Sequence, residues 1–360
     1  MQNTTKLPFY AQAALISVGL FALMSMLYIG QSIMLPIIYA TIFAIALNPL
    51  VNFFVRKKVN RVVAITITLV IVSLISLLLI VVLSSRLTTF IDSFPKLLDK
   101  FYVTFNRSIS WLSTNFNINK TFISDTKTEL LSGSSALIGK TFNTVGNTLA
   151  IFFLIPVYVF MILYYQPLLL DFIRQLFGLQ NQKEVNEILI SIKLIIQKYL
   201  TALLLEAGII AALNSVGLLI LGIDYAIVLG IIGAILNVIP YLGGMIALAL
   251  SMIVAFATEE SSIYPLLVAL QYLIIQLIDN NFVLPKLVAS KVRINALVSI
   301  IVVIAGGALW GIPGMFLSIP LTAILKVIFD HIEILKPWGF LLGDTMPIQP
   351  ILLFRRKKKE

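Results

Sequence analysis

The chain is a series of long apolar runs separated by short polar breaks, and most runs have the length of a bilayer crossing. About 20 apolar residues in a helix cover the ~30 Å hydrocarbon core. Runs at 9–29, 33–55, 62–83, 148–165, 200–223 and 263–285 meet that length and predict six spanning helices. The first follows a single Lys6, exceeds the apolar core of a signal peptide and has no small-residue cleavage site behind it, so it reads as an uncleaved span. Pro36 lies in the first turn of the second span, and Pro156 predicts a kink in the fourth.

Two stretches keep a helical period without being apolar throughout. In 84–148, Phe90, Phe94, Leu97, Leu98, Phe101 and Phe105 fall on one helical face, with Ser93 and Pro95 as the expected helix start. This predicts a small extracytoplasmic domain or interfacial helices. Ahead of the fifth span, Val185, Ile188, Leu189, Ile192, Ile195, Ile196 and Tyr199 form a stripe opposite Lys183, Glu184 and Glu187. That pattern predicts a helix on the inner membrane surface that feeds into the span.

The remaining runs do not have span length. Residues 225–257 are interrupted by Asn237-Val-Ile-Pro240-Tyr241-Leu-Gly243-Gly244. Residues 296–329 are interrupted by Gly306-Gly307 and by Gly311-Ile-Pro313-Gly314, with Pro320 beyond. A straight helix of such length would reach about 50 Å at 1.5 Å per residue, well beyond the core. Each run is therefore either one steeply tilted span or a broken hairpin that enters and leaves on one side. Loop charge favours the hairpins, because they put Lys286, Lys291 and Arg293 inside and Asp224, Glu259 and Glu260 outside. Span 200–223 plus its hairpin and span 263–285 plus its own then form an inverted pair. Interrupted segments at corresponding positions point to a transporter's binding site.

Composition agrees with this layout: 59% of residues are apolar and 12% charged, too few polar side chains to coat a soluble surface. The expected fold is an all-α polytopic membrane protein with about six full spans and two Pro/Gly-broken re-entrant hairpins, or eight spans. Its expected organisation is three spans over 1–83, the amphipathic extracytoplasmic region over 84–148, and the fourth span with the cytoplasmic amphipathic helix over 149–199. A transport core of inverted repeats follows over 200–331, then a basic cytoplasmic tail over 332–360.

The net charge of +10 comes mostly from Arg56, Lys57, Lys58 and Arg61 and from the tail Arg355, Arg356, Lys357, Lys358 and Lys359. Both clusters abut apolar runs, so they mark cytoplasmic loops at anionic lipid rather than a nucleic-acid surface. There is no cysteine and one histidine, His331, which leaves no material for thiolate, zinc or Ser-His-Asp chemistry. His331 reads as a solvated helix end, where Lys326, Asp330 and Glu333 can pair at helical spacing. No Walker loop is present, and neither a cofactor, a metal site nor a catalytic residue is expected.

Two acids stand inside spans. Glu206 lies seven residues past Tyr199 and Asp279 six before Pro285, which places both roughly 10 Å from the cytoplasmic end. An acid in a span costs on the order of 2.5–3.5 kcal/mol on insertion scales, so it serves a pathway or a pair. The pathway reading is a proton, cation or polar-substrate site; the pairing reading joins Glu206 to Lys198 and Asp279 to Lys286. Gln271, Gln276, Asn280 and Asn281 add polar groups beside Asp279.

These motifs, in order, resemble the autoinducer-2 exporter family of bacterial permease-like proteins. Asn237-Val-Ile-Pro240-Tyr241-Leu-Gly243 is similar to that family's Asn-x-Ile-Pro-Tyr-x-Gly signature. Gln276-Leu-Ile-Asp279-Asn280 with Pro285 resembles its next element, and Gly306-Gly307-x-x-x-Gly311-x-x-Gly314 with Pro320 its last. Ser290 and Asn295-Ala296 stand where the family pattern carries Gly and His-Pro. The resemblance implies export of a small signalling molecule, sodium/proton antiport in some relatives, and homo-oligomers in a bacterial inner membrane. The expectation is a secondary transporter with both termini cytoplasmic, its partners being the bilayer and a small polar substrate or a monovalent cation or proton. Cation/proton antiport is the alternative. A membrane scaffold that holds a partner through 84–148 is the alternative of another class. Expected pathway residues are Glu206, Asn237, Pro240, Tyr241, Gly243, Gly244, Gln276, Asp279, Asn280, Gly306, Gly307, Gly311, Pro313, Gly314 and Pro320.

Overall fold

The computed structural model describes residues 8–116, 154–178, 181–239, 242–259, 261, 263–283, 285–289 and 294–344. Lys6, the 117–148 part of the extracytoplasmic region, Pro240, Tyr241, Glu260, Ser290, Lys291, Arg293 and the basic tail 355–359 lie outside the described residues. The described residues are almost entirely helical, with no strand, and the protein is an all-α polytopic membrane protein. In chain order the helices are α1 (Phe9–Ile29), α2 (Gln31–Arg56), α3 (Arg61–Phe116), α4 (Leu154–Tyr164), α5 (Gln166–Leu176), α6 (Gln182–Ile220), α7 (Ala226–Asn237), α8 (Leu242–Thr258) and α9 (Ile263–Ile278). Two π-helical turns, Asp279–Val283 and Pro285–Ala289, extend α9. The helical segment Ala296–His331 and a short α12 (Lys336–Leu342) close the described chain.

Six of these segments are long and apolar enough to cross a bilayer, and the bent α4–α5 pair is a seventh candidate. Ala296–His331 is one of the six by length, but its backbone turns back on itself. At Gly311 φ is 64° and ψ is −146°, a conformation open to glycine and strained for other residues. A Cβ placed on Gly306 would meet Ser318 Oγ at 2.1 Å and the Gly314 carbonyl oxygen at 2.5 Å. In a straight helix residues 306 and 314 would stand about 12 Å apart along the axis. The segment is thus a hairpin of two arms, α10 (296–310) and α11 (312–331), touching glycine to glycine. α7 and α8 form the other hairpin; neither arm, at 12 and 17 residues, reaches across the core alone. At its tip a Cβ on Gly243 would lie 1.8 Å from the Leu236 carbonyl oxygen, so only glycine lets α8 start there.

Prolines set much of the remaining geometry, because each removes the N–H that would bond the carbonyl four residues back. Pro167 frees the Leu163 carbonyl, the chain bends by 62° between α4 and α5, and Arg61 Nη2 donates to that oxygen at 2.9 Å. The chain thus bends at Tyr165, whereas the kink expected at Pro156 turns on residue 152, four back, which lies outside the described residues. Pro49 likewise frees the Ile45 carbonyl, which accepts from Gln197 Nε2 at 2.8 Å and ties α2 to α6. Asn48, Asn52, Gln166 and Arg61 complete a polar clamp between the α2–α3 corner and the α4–α5 bend.

The stripe on 84–148 has a different setting from the one expected. α3 runs through Ser93 and Pro95 as one helix of 56 residues, with no new start. Ser93 and Pro95 qualify as cap residues, yet the apolar stripe continues the spacing of the span, and packing on α7 and α8 keeps the helix intact. Phe90 and Leu97 are buried there with Leu218, Ile223 and Val254. Ser93 Oγ lies 3.1 Å from Tyr225 Oη, and Phe101 packs edge-on against Phe256. The amphipathic stretch from Val185 to Tyr199 and the fifth span are also one helix, α6.

Candidate functional site

The site forms where α6 and α9 face the α7–α8 hairpin. Along α6, Glu206 and Asn214 are eight residues apart and so share a face; both are buried, at 5% and 3% exposure. Along α9, Tyr272, Gln276 and Asp279 follow a similar repeat, and Asp279 is 3% exposed. At Asp279 the helix widens from α to π, a change that recurs at functional sites. Hairpin 1 brings Asn237 from the end of α7, and its Nδ2 donates to Asp279 Oδ2 at 3.2 Å. Gln276 Nε2 donates to Asn280 Oδ1 at 3.2 Å on the more exposed side.

Glycines of the hairpin make room for these polar groups. A Cβ on Gly244 would come within 2.8 Å of Gln276 Oε1, and one on Gly233 within 3.2 Å of Tyr272 Oη and 3.3 Å of Asn214 Nδ2. Between them lies a crevice lined by Asn214, Gly233, Asn237, Gly244, Gln276 and Asp279, among others, with a free volume of about 10 Å³. That is room for about one water molecule, so the site is closed to any larger solute in this conformation.

Electrostatics set this site apart. No ion pair among the described residues includes Glu206 or Asp279, so neither pairing considered from the sequence, with Lys198 or with Lys286, forms. α6, which carries Glu206, packs on α9 and on the π-helical turn Pro285–Ala289, the two segments on either side of Asp279–Val283. Glu206 Oε2, Asp279 Oδ1, Asn214 Oδ1 and both polar ends of Gln271 are buried without a hydrogen-bond partner. Four of these five atoms are oxygen acceptors. Buried polar groups are nearly always satisfied, so a run of orphans calls for a bound donor or cation. No group of three or more His, Asp or Glu residues that could hold a metal ion occurs among the described residues.

The expected site residues separate into two places. Asn237, Gly244, Gln276 and Asp279 line the crevice, Asn280 bonds Gln276, Gly243 packs on Leu236 and Asn237 beside it, and Glu206 lies two turns before Asn214 on α6, while Pro240 and Tyr241 lie outside the described residues. Gly306, Gly307, Gly311, Pro313, Gly314 and Pro320 belong to hairpin 2, the α10–α11 pair: Gly306 and Gly314 close on each other, Gly307 packs on Met315, Gly311 makes the turn, and the hairpin packs on α2 and α6. Trp310 Nε1 donates to the Leu27 carbonyl at 3.0 Å, Tyr39 Oη to the Pro313 carbonyl at 3.1 Å, and Tyr39 stacks on Phe316. Asn214, Tyr272 and Ser251 were not singled out from the sequence, although Ser251 Oγ and Tyr272 Oη are buried 2.9 Å apart. The signal was present: Asn214 stands one face-repeat beyond Glu206 in an otherwise apolar span.

Comparison with known proteins agrees with the geometry. The pattern of the AI-2E family transporter matches residues 16–334, and the chain belongs to that family. It is similar to YhhT of Escherichia coli (strain K12), 25% identical over 337 residues, covering 91% of this chain and 93% of YhhT. The AI-2 transport protein TqsA of the same organism is 26% identical over 321 residues, 88% of this chain and 90% of TqsA. YrrI of Bacillus subtilis (strain 168) is 31% identical over 133 residues, and that match spans 37% of either chain.

Proposed function

We propose, with membership of this transporter family as premise, that the chain is a secondary transporter that exports a small polar metabolite of the autoinducer-2 kind. Glu206 and Asp279 carry the reading: each is buried in a spanning helix, and neither has a cationic partner to offset its desolvation. Such a cost, unrecovered by structure, is the mark of a pathway. Asn237 at the tip of hairpin 1 bonds Asp279, so movement of the hairpin and opening of the crevice are one event. The small crevice is the closed state, and alternating access comes from hairpin 1 shifting against a scaffold of N-terminal spans and hairpin 2.

One observation favours a second reading, cation or proton coupling at the same carboxyls. The crevice and its surroundings offer oxygen acceptors in excess of donors, which suits a proton or a monovalent cation better than a neutral polyol. The basic α2–α3 loop supports an inner-membrane orientation with both termini in the cytoplasm, and the reading includes assembly as a homo-oligomer.

Purified protein in vesicles, loaded with autoinducer-2 and assayed for its release, tests the export reading. Release is expected from the wild type and is expected to be lost in Glu206→Gln/Asp279→Asn. Wild-type release rates in that double variant would remove the crevice from the pathway.

A further inference from the structure

Glu206 lies nearer one end of the apolar part of α6 than the other. From Glu206 to Ile220, the end of α6, the helix runs about 21 Å, against roughly 10 Å back to Tyr199. The longer stretch is not uniformly apolar. In the middle of the crevice Ile210 and Ile275 stand in its wall between Asp279 and Asn214, and with Ala234 they form a buried cluster of their own. Beyond it, Asn214 Nδ2 and Tyr272 Oη converge over Gly233, and Ser251 Oγ lies against Tyr272 Oη. One turn further, Gln271 lies flat on Gly217, where a Cβ would be 2.5 Å from Nε2; both its polar ends are buried and unpartnered. Asn214 Oδ1 is unpartnered as well.

Packing alone does not account for this. A structural amide in a span bonds a neighbour, since an unpaired polar group in hydrocarbon costs several kcal/mol. Here the Asn214 oxygen and both ends of the Gln271 amide stay unpaired on facing helices, and glycine leaves the space they need, Gly233 of α7 for Asn214 and Gly217 of α6 for Gln271. The polar groups continue the line of the two carboxyls, and three aliphatic side chains interrupt that line at a single level. An apolar constriction in a polar passage excludes water until it widens.

We infer that Asn214, Tyr272 and Gln271 line a conduction route from the two carboxyls to the α6–α7 corner, for a proton carried by water or a monovalent cation, and that Ile210, Ala234 and Ile275, at the waist of the crevice, form its gate. The inference rests on the carboxyl-centred reading of the site and names the passage that serves it. Oxygen acceptors along the passage hold water or replace part of a cation's hydration shell. The gate keeps the two carboxyls from the corner until α7 moves away from α6 and α9.

The test uses full-length protein in phosphatidylethanolamine/phosphatidylglycerol vesicles with a pH-sensitive dye inside and a NaCl, KCl or LiCl gradient imposed. An inside pH change in the wild type is expected. Asn214→Leu and Gln271→Leu should slow it about tenfold, while Gln271→Asn should keep most of it. Ile275→Ser should do the opposite and raise passive leak about tenfold, a gain that a merely structural residue would not give. A proton-only response, unchanged between the three salts, assigns the route to protons; dependence on one salt assigns it to that cation. Because the chain lacks cysteine, Asn214→Cys and Gln271→Cys provide a measure independent of flux. Both should react with a small cationic thiol reagent, unlike the lipid-facing control Leu273→Cys. Wild-type rates in both leucine variants, absence of leak in Ile275→Ser, or no labelling at 214 and 271 would each overturn the route. If the wild type releases autoinducer-2 but moves neither proton nor cation, the route falls and export stands; if it does none of these, both fall.

Discussion

The two hairpins share a plan and differ in what they touch. Hairpin 2 is glycine against glycine: Gly306 and Gly314 meet backbone to backbone, and the tip is fastened to the N-terminal spans by Trp310 and Tyr39. Hairpin 1 closes backbone to backbone only at its tip, where Gly243 meets Leu236; its other glycines lie against polar residues, Gly230 against Ser215, Gly233 against Asn214 and Tyr272, and Gly244 against Gln276. In the first, a missing side chain lets two arms close. In the second, it leaves room for groups that belong to other helices. The same residue type thus closes one hairpin on itself and forms part of the crevice wall in the other, and motif matching alone does not separate them.

The contrast can be broken most forcefully at hairpin 2. Gly306→Leu must push the arms apart, and a loss of ~3 kcal/mol or more is expected, read as loss of monodisperse protein in detergent. Gly311→Ala forces a Cβ onto a backbone that disfavours it and is expected to cost about 1–3 kcal/mol, visible as a lowered unfolding temperature. Trp310→Phe removes the bond to Leu27 and part of the buried ring volume, the lost bond alone costing about 0.5–1.5 kcal/mol in the same measurement. Gly233→Ala in hairpin 1 should change the unfolding temperature least, because its Cβ would be tight against Tyr272, Asn214 and Ala247 at 3.2–3.4 Å but would not overlap them. Its transport rate should nevertheless fall sharply. Equal stability losses at Gly306 and Gly233, or unchanged transport in Gly233→Ala, would erase the distinction.

Run length and interruption made much of the fold legible. The positions of α1, α2, α6 and α9 follow from apolar length, and both hairpins follow from runs too long to be one span yet broken by Gly and Pro. The continuity of α3 was hidden because Ser93 and Pro95 satisfy local rules for a helix start, whereas the stripe from Phe90 to Phe101 finds its partner only in α7 and α8. The bend after α4 lies just past the apolar run 148–165, where Pro167 leaves the Leu163 carbonyl bare, and run length alone does not mark it. At the site, Glu206 and Asp279 stood out as charges in apolar runs. Asn214, Ser251 and Tyr272 carry no charge, and only the packing of three helices shows that they face one another.

The bare carbonyl of Leu163 ties two distant positions to a common fate. Pro167 creates the vacancy, and Arg61, 106 residues earlier, fills it. Losing the arginine while keeping the proline strands an acceptor, at about 1–3 kcal/mol. Losing the proline while keeping the arginine leaves the guanidinium competing with a backbone N–H for one oxygen. Drift at either position is therefore constrained by the other, and aligned relatives without proline at the second place should also be free to vary the first.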